Sequence, residues 1–388
     1  RREEGARLTM AGRSSAEREA LARQNAAIMA VFERAGFDHI APDIIQPADI
    51  FLERSGEDIR ARTFVFSDPD GNELCLRPDL TVPACRYHLS HAADATAESR
   101  YCYLGTAFRF PDELLSPQEF NQAGIEWFGD RNPVQAEARV MKLAIAALEA
   151  AGLSGLKITM GDLGLFNALI DAMAMPERWR RRLKHQFWRP AAFRSLLERF
   201  ARPATQKRTA ISAHVDAIAG QDAEAAVAAR LAALDLPHVT DRGVAEIAVR
   251  LSEKLADRSE APLDPAMVRL IEAYLAIEGS VTDVVTELAK LPSSPALDGA
   301  RRWFEARIAA LEDQGLNPRR FHFSANFGRE LEYYTGLVFQ IEVEARNAPL
   351  VVAGGGRYND LLHDLGASSR VSAVGCAIHT ERVKAVLS

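Results

Sequence analysis

Two kinds of sequence pattern alternate along the chain, and their order constrains the fold more than any single motif does. Over residues 38–162, short runs of β-branched and aromatic residues are separated by Pro, Gly and Asp, which is typical of strands in an antiparallel sheet. Over residues 165–315 strand-like runs almost vanish, and helix-length segments rich in Ala, Leu, Arg and Glu follow one another. The strand pattern returns after Pro318. This order predicts a sheet domain interrupted by a helical insertion.

Two amphipathic helices are predicted beside these strands. Ser14 and Glu17 form a capping-box pattern at the start of the first, and Gly36 provides its stop. The second covers residues 133–151. The predicted strands are 63–66, 73–76, 100–110, 119–128, 157–160, 337–344 and 350–353. The predicted domain bounds are 1–13 for a tail or remnant, 14–164 with 318–388 for the discontinuous sheet domain, and 165–317 for the helical insertion.

Composition excludes several classes of protein. Of the 388 residues 48% are hydrophobic and 26% charged, which is ordinary for a globular chain with two or three packed cores. The net charge of −6 argues against an extensive nucleic-acid-binding surface, since such proteins are usually basic. No apolar stretch approaches the roughly 20 residues of a membrane span, so we expect a cytoplasmic protein without membrane contact. The four cysteines include no C-x-x-C pair, which predicts reduced and mostly buried thiols.

Polar clusters lie inside the strand patterns, where a purely structural sheet would bury apolar residues. The segment RPDLT at 77–81 follows a strand and could equally be a turn with an incidental ion pair. The strand pair at 100–110 and 119–128 carries Arg109, Gln122 and Glu126 among apolar neighbours. Gln122 and Glu126 are an even number of residues apart, so in a regular strand they project from one face.

Two further clusters and a helix start follow the insertion. The segment GRELEYYTG at 328–336 opens a strand, and GGGRY at 354–358 fits either a close approach of the backbone to a ligand or a bend. Residues 372–378 predict a buried strand that leads into a helix with Arg382 in its first turn. The helix dipole disfavours arginine there. A site that needs a fixed cation would explain its presence.

Metal and nucleophile sites are poorly supported. The nine histidines are scattered, and although His88 and His91 could share a helical face, no ligand set in the sequence completes them. No G-x-S-x-G elbow is present. We expect no metal and no cofactor.

The helical insertion contains a basic stretch over residues 178–208. It holds eleven Lys and Arg residues against one acid, Glu198, with Trp179, Phe187, Trp188 and Phe193 interleaved. RNA or an acidic partner would suit this charge, while aromatic residues at helical spacing more often face a core. The negative net charge of the whole chain favours an acidic partner or a core over RNA.

Taken in order, these clusters resemble the catalytic core of class II histidyl-tRNA synthetases. The resemblance rests on 77–81, on FNQAGIE at 120–126 after the Phe108–Arg109 strand, and on 329–336, 355–358 and 374–382. It implies an α+β fold, a six-stranded antiparallel sheet flanked by helices, which is normally a homodimer with a histidine pocket. The resemblance implies that the residues at the matching positions of this sequence bind histidine. They are Asp79 (where the family has Glu), Thr81, Arg109, Gln122, Glu126, Arg329, Tyr333, Tyr334 and Tyr358. Carboxylates, arginines and polar side chains of this kind can bind the ammonium, carboxylate and imidazole groups of histidine.

The departures from the synthetase pattern concern ATP and tRNA. Between Arg109 and Gln122 the chain has no Lys or Arg and instead has Asp112, Glu113 and Glu119, which would repel a triphosphate. His379 stands where the family has a glycine beneath the nucleotide. The chain ends at Ser388, whereas the synthetase continues into an anticodon-binding domain of about 100 residues, the size of a full domain. We therefore expect no anticodon-binding domain and no tRNA partner.

A retained histidine pocket with a degraded ATP loop is similar to the regulatory subunits of ATP phosphoribosyltransferase, which are synthetase paralogues. The resemblance implies a chain without catalytic residues that is required for the activity of the short-form catalytic subunit. It also implies histidine feedback on the first step of histidine biosynthesis and a homodimer within a hetero-oligomer. Two alternatives stay open at this point: a free-standing adenylate-forming ligase that activates histidine, and an RNA-binding synthetase-like module.

Overall fold

The computed structural model describes residues 12–54, 59, 61–110, 118–202, 222–233, 243–328, 333–345 and 348–387. The chain divides into two compact units, one formed by residues 1–172 with 274–388 and the other by residues 173–273. The insertion bounds expected from the sequence, 165–317, are wider than this second unit. The difference arises because the helices at both ends of that range, Leu163–Asp171 and Pro295–Asp313, pack against each other within the first unit.

A large antiparallel sheet forms the centre of the first unit. In the described ranges the strands are β1 (Asp38–His39), β2 (Ile45–Pro47), β3 (Val65–Ser67), β4 (Glu73–Leu76), β5 (Ser99–Phe108), β6 (Glu119–Phe128), β7 (Lys157–Asp162), β8 (Glu278–Ser280), β9 (Phe321–Ser324), β10 (Leu337–Val343), β11 (Leu350–Arg357) and β12 (Ala373–His379). The order β5-β6-β12-β11-β10-β7 is antiparallel throughout. This confirms the expected six-stranded antiparallel sheet.

Short strands extend the sheet at both edges. Strand β1 pairs in parallel with β5 at one edge, and β9 pairs in parallel with β7 at the other, followed by β8. A separate small sheet has the order β2-β4-β3. The sequence pattern missed β1, β2, β8 and β9, which are only two to four residues long.

Helices cover the sheet and make up the second unit. In the described ranges they are α1 (Ser15–Arg34), α2 (Ala48–Arg54), α3 (Thr81–His91), α4 (Pro133–Ala150), α5 (Leu163–Asp171), α6 (Glu177–Gln186), α7 (Pro190–Ala201), α8 (Ala223–Ala233), α9 (Val244–Ser259), α10 (Pro265–Leu275), α11 (Val281–Ala289), α12 (Pro295–Asp313), α13 (Leu361–Asp364) and α14 (Thr380–Leu387). Helix α1 begins with the predicted capping box: the Ser14 Oγ accepts from the Glu17 backbone N–H at 3.3 Å, and the Glu17 carboxylate accepts from the Ser14 N–H at 2.8 Å.

One sequence expectation about local structure is wrong, and one of two alternatives left open by the sequence is excluded. Only one helix was expected between residues 38 and 162, but α2 and α3 also lie there. The three glycines of GGGRY lie inside β11 and do not form a bend. A Cβ at Gly355 would overlap the Gly375 carbonyl of β12, and one at Gly356 would overlap the Leu337 carbonyl of β10. Glycine is therefore required here by close strand packing.

Charged residues are buried beneath β11 in what we call the buried ion network, Asp130, Glu137, Asp162, Arg307 and Arg357. Glu137 on α4 accepts hydrogen bonds from Arg307 on α12 and from Arg357 at the end of β11. Arg307 also donates to Asp162, and Arg357 donates to Asp130 at 3.2 Å. The network joins two helices to the sheet through charge-assisted hydrogen bonds.

Candidate functional site

A cavity of about 570 Å³ opens in the first unit, within the size range of ligand sites. Its walls come from four neighbouring strands, β6, β12, β11 and β10, and from the first turns of α3 and α14. The histidine-pocket residues expected from the sequence that line it are Asp79, Thr81, Arg109, Gln122, Tyr333, Tyr334 and Tyr358. Glu126 lies buried beneath, hydrogen-bonded to Tyr358. Arg329 lies outside the described residues.

Glu126 forms the floor of the site. Its side chain is fully buried, and its carboxyl accepts from the hydroxyl of Tyr103 at 2.9 Å and from that of Tyr358. The Thr81 hydroxyl also hydrogen-bonds to it. Burial raises the pKa of Glu126 to about 7, because the three hydroxyls only partly compensate the lost hydration of the carboxylate. The carboxyl is therefore poised to exchange a proton near neutral pH.

A glycine on the neighbouring strand makes room for this carboxyl. Gly375 of β12 is paired with Glu126 of β6. A Cβ at Gly375 would overlap the Glu126 Oε2 atom. The sequence reasoning missed this role of Gly375, although a glycine inside a strand pattern is a signal that another group approaches the backbone closely.

Two oxygens at the cavity wall have no hydrogen-bond partner among the described residues. They are the Oδ2 atom of Asp79 and the Oε1 atom of Gln122, and each residue is only 3% exposed. Burial raises the pKa of Asp79, while the charge of Arg109 and hydrogen bonds from backbone N–H groups act in the opposite direction. A buried acceptor without a donor costs about 1–3 kcal/mol. The pair therefore suits a ligand that carries hydrogen-bond donors, such as an ammonium group.

Guanidinium groups of Arg62, Arg109 and Arg382 also line the cavity. Arg109 is held by a hydrogen bond from its Nε to the Pro78 carbonyl at 2.7 Å, and Arg382 by one from its Nη1 to the Val351 carbonyl at 2.9 Å. Arg382 stands in the first turn of α14, against the helix dipole, as a cation fixed at the cavity wall. These groups can balance the charge of a ligand carboxylate.

The aromatic face of Phe120 is covered by the protein itself. The ring of His379 stacks on it with the ring centroids 5.1 Å apart and the planes at 27°. Next to this pair, Glu381 accepts hydrogen bonds from the backbone and side-chain N–H groups of Asn121, at 2.8 and 2.9 Å. The imidazole of His379 therefore covers one face of the Phe120 ring.

Tyr103, on β5, was not expected in the site. Tyr103 is paired across the sheet with Gly124, where a Cβ would lie 2.5 Å from the Tyr103 hydroxyl. A glycine opposite a tyrosine is the signal that could have found it. Tyr101 instead contacts His88, whose Nδ1 lies 3.3 Å from the Tyr101 hydroxyl.

His88 and His91 do not form a ligand pair. The His88 ring is buried, with its Nε2 hydrogen-bonded to the Ala95 carbonyl at 2.9 Å, while His91 is exposed. In the part of the chain that the structure describes, no three histidine, cysteine or carboxylate side chains come together as a metal site would require. All four cysteines lie in described ranges, where they are buried and form no disulfide.

The basic stretch lies in the second unit, where much of its charge is paired. Asp257 on α9 accepts from Arg178 at 2.8 Å, from Arg182 at 2.5 Å and from the Trp179 indole at 2.7 Å. Trp179 stacks on Phe200 with centroids 4.3 Å apart, and both rings are buried. Of the interpretations left open by the sequence, the aromatic core is favoured over base stacking for Trp179. Lys207 and Arg208 lie outside the described residues.

Comparison with known proteins gives the family. The histidyl-tRNA synthetase family matches residues 12–269 and 244–383. An ATP phosphoribosyltransferase regulatory subunit from Rhizobium rhizogenes is 38% identical over 365 residues, which cover 92% of this chain and 95% of that protein. One from Rhizobium meliloti is 37% identical over 373 residues, which cover 93% and 96%. The chain belongs to the family of ATP phosphoribosyltransferase regulatory subunits. The name describes a regulatory rather than a catalytic chain, as expected from the sequence.

Two solved structures have the same fold as this regulatory subunit. A crystal structure described as an ATP phosphoribosyltransferase regulatory subunit/histidyl-tRNA synthetase from Bacillus halodurans superposes with a TM-score of 0.69 at 20% identity, over 100% of this chain and 84% of that one. A histidine–tRNA ligase subunit from Alicyclobacillus acidocaldarius gives 0.62 at 23% identity, over 100% and 98%. The class II synthetase-like α+β fold is therefore confirmed. Within the described residues, no helix has the length and apolar character of a membrane span.

Proposed function

We propose that this regulatory subunit binds free L-histidine in the 570 Å³ cavity and thereby carries histidine feedback to a short-form catalytic subunit of ATP phosphoribosyltransferase. In this proposal the chain catalyses nothing itself, yet the catalytic subunit requires it for activity in the first step of histidine biosynthesis. The observation that carries the proposal is the pair of buried acceptors without donors, Asp79 Oδ2 and Gln122 Oε1, in a cavity that also holds fixed cations. Family membership supplies the enzyme that is regulated.

Each polar group of histidine has a matching group in the proposed site. The α-ammonium donates to Asp79 and Gln122, whose buried acceptors then gain partners. The carboxylate lies near Arg109, and Arg329 stays a predicted second cation. The imidazole meets the side chains of Tyr333, Tyr334 and Tyr358 that line the cavity, above the buried carboxyl of Glu126.

Feedback requires that histidine binds two states of the assembly with unequal affinity. The Tyr358 hydroxyl donates to the Glu126 carboxyl, and Tyr358 directly follows β11 in the chain. A ligand that contacts Tyr358 is therefore linked to two strands of the central sheet. In our proposal the chain is a homodimer within a cytoplasmic hetero-oligomer and has no tRNA partner.

The cations that remain in the cavity, Arg109 and Arg382, favour one competing function, a ligase that activates histidine with ATP. One observation argues against this function. His379 covers the face of Phe120, so a nucleotide base that stacked on this ring would have to displace His379. The acidic residues Asp112 and Glu113 of the preceding loop lie outside the described residues. Histidine-dependent exchange of pyrophosphate into ATP separates the two functions, and we expect none.

Isothermal titration with L-histidine tests the binding step, on the chain alone and in complex with the catalytic subunit. Gln122→Ala should weaken binding about tenfold, since one hydrogen bond to a charged group is lost. Gln340→Ala is the matched control, because Gln340 lines the same cavity but its amide donates to Glu342 at 2.7 Å. We expect less than about a threefold change for that variant. No heat in either preparation, or equal effects of both substitutions, would overturn the pocket assignment.

Activity assays test the regulatory step. The catalytic subunit should be several-fold more active with this chain than without it, and histidine should inhibit the complex. In the Gln122→Ala complex the activation should persist while the inhibitory concentration of histidine rises about tenfold, in line with its weaker binding. Inhibition that is unchanged in this variant would place the inhibitory site elsewhere.

A further inference from the structure

A second pocket, of about 360 Å³, lies at the start of α4, and none of its lining residues lines the histidine cavity. Its walls come from the end of β6, the segment that follows it and the first two turns of α4, with Glu98 just before β5 and Gln314 just after α12. Every lining residue belongs to the first unit. No function derived above uses this pocket.

Two residues of its wall each have a buried polar atom that lacks a hydrogen-bond partner among the described residues. One is the Oδ1 atom of Asp130, a residue that is only 6% exposed. Its other oxygen, Oδ2, accepts from Arg357 at 3.2 Å and from Ser372 at 2.7 Å. The second is the indole nitrogen Nε1 of Trp127. The pocket thus presents one acceptor and one donor, each of which costs about 1–3 kcal/mol when left unsatisfied.

Positive charge surrounds the donor side of the pocket. Arg131 and Arg139 line it, and neither forms an ion pair with another residue that the structure describes. The first intrahelical bond of α4 runs from Ala136 N–H to the Asn132 carbonyl at 3.0 Å. Since Pro133 has no N–H, the groups of the first turn that are left to point out of the helix are those of Val134 and Gln135. The Asn132 side chain does not cap them. A helix start of this kind favours a negative charge.

We propose that this pocket binds a free α-amino acid, with the ammonium on Asp130 and the carboxylate at the start of α4. The second carboxylate of the lining, Glu98, is already paired with Arg100 at 2.6 Å. A simple anion would be repelled by the Asp130 carboxylate, and a simple cation by Arg131 and Arg139. A zwitterion meets both charges with the right sign and satisfies both unpaired atoms, with Trp127 Nε1 donating to the ligand carboxylate. The site is separate from the proposed histidine site and does not depend on it.

The indole N–H signal of Trp127 reports on this pocket in the full chain. The chain contains four tryptophans, and Trp127→Phe identifies the relevant signal after labelling with ¹⁵N-tryptophan. Each of the twenty L-α-amino acids is titrated in turn, with acetate and methylamine as probes that carry only one of the two charges. We expect at least one amino acid to shift the signal saturably, and acetate and methylamine to leave it unchanged at the same concentration.

Variants separate this pocket from other causes of the shift. Arg139→Ala should weaken the binding about tenfold, whereas the exposed Arg302→Ala should not change it. Asp130 is left intact because it also holds Arg357. In the double variant Asp79→Asn, Gln122→Ala the shift should persist, since the histidine cavity is altered and this pocket is not.

The proposal is overturned by any of four outcomes. The first is that no amino acid shifts the Trp127 signal, and the second is that acetate alone shifts it as strongly, which would make the pocket a simple anion site. The third is that the Arg139→Ala variant binds the amino acid as well as the unmodified chain does. The fourth is that the double variant loses the shift, which would trace the shift to the histidine cavity.

Discussion

Two glutamates are fully buried in the same unit, and their surroundings differ in a way that separates framework from binding site. Glu137 in the buried ion network is held between Arg307 and Arg357, and these two charges outweigh its burial and lower its pKa. Glu126 beneath the cavity receives only hydroxyl groups, and burial raises its pKa to about 7. Where the fold supplies the opposite charge itself, the group is structural. Where it supplies hydroxyls and leaves nearby acceptors without donors, a ligand can supply the rest.

The largest expected effect concerns the network side of this comparison. Glu137→Ala leaves Arg307 and Arg357 buried without their shared carboxylate, and we expect the free energy of unfolding to fall by about 3–5 kcal/mol. Urea unfolding followed by circular dichroism measures it. The control is Glu149→Ala, at an exposed position of the same helix, for which we expect a change within about 0.5 kcal/mol. A similar small loss for both variants would contradict the structural role of the network.

The next effect concerns Glu126 and its pH dependence. Because its folded-state pKa of about 7 lies above its ordinary value of 4.5, the folded chain binds the proton more tightly between these values. The stability contributed by the protonated form is fully present below pH 4.5 and is lost as the pH rises through about 7. Glu126→Gln removes this dependence, so its stability relative to the unmodified chain should rise by about 3 kcal/mol across this window.

Urea unfolding of both proteins at pH values between 5 and 8 checks this sign. The Glu137 carboxyl should have the opposite effect on the free energy of unfolding below pH 4.5, its ordinary pKa. Because its pKa in the folded chain is lowered, the stability that it contributes is lost as the pH falls. Parallel stability curves for Glu126→Gln and the unmodified chain would show that Glu126 does not titrate near neutral pH.

A smaller effect is expected from closing the space that the floor carboxyl occupies. Gly375→Ala brings a Cβ into Glu126 Oε2, so either the strand or the carboxyl must shift. We expect a loss of about 1–3 kcal/mol in stability and at least about tenfold weaker histidine binding by calorimetry. Gly299→Ala is the control, since it lies within α12 and meets only the end of the Arg302 side chain at 3.9 Å. Unimpaired histidine binding by the Gly375 variant would separate Glu126 from the ligand.

The smallest expected effect on stability comes from the ion pairs of the second unit. These pairs are partly exposed, unlike Glu126 and Glu137. Asp257→Asn weakens contacts to Arg178, Arg182 and Trp179, and we expect a loss of about 1 kcal/mol in thermal or urea unfolding. Raising the salt concentration should reduce the difference between the two proteins. A loss as large as that of Glu137→Ala would show that exposure does not separate the two kinds of pair.

The sheet and much of the site could be predicted because their signals are local. Strand periodicity placed Gln122 and Glu126 on one face of β6, and the cavity lies at that face. The helix α3 was missed because its sequence, TVPACRYHLSH, mixes buried and polar residues without a clear stripe and begins with a β-branched residue and a proline. Its position matters, since its first turn carries Thr81 into the cavity.

Partners that are distant in the chain could not be predicted. The acid that pairs with Arg178 is Asp257, 79 residues later, so the local window showed an unbalanced basic stretch. The role of Arg357 was equally hidden, because Glu137 lies 220 residues before it. A sequence pattern gives the period of a segment, whereas charge balance in a fold depends on which segments meet.

Arg357 and Tyr358 are neighbours in the chain, and this has a consequence for how the site responds to heat. One holds the ion network and the other donates its hydroxyl to Glu126, so a single peptide unit at the end of β11 sets the position of both. We expect thermal loosening of the ionic contacts to displace the phenol from the carboxyl as well. Capacity to bind a ligand should accordingly disappear at a lower temperature than the secondary structure of the sheet melts.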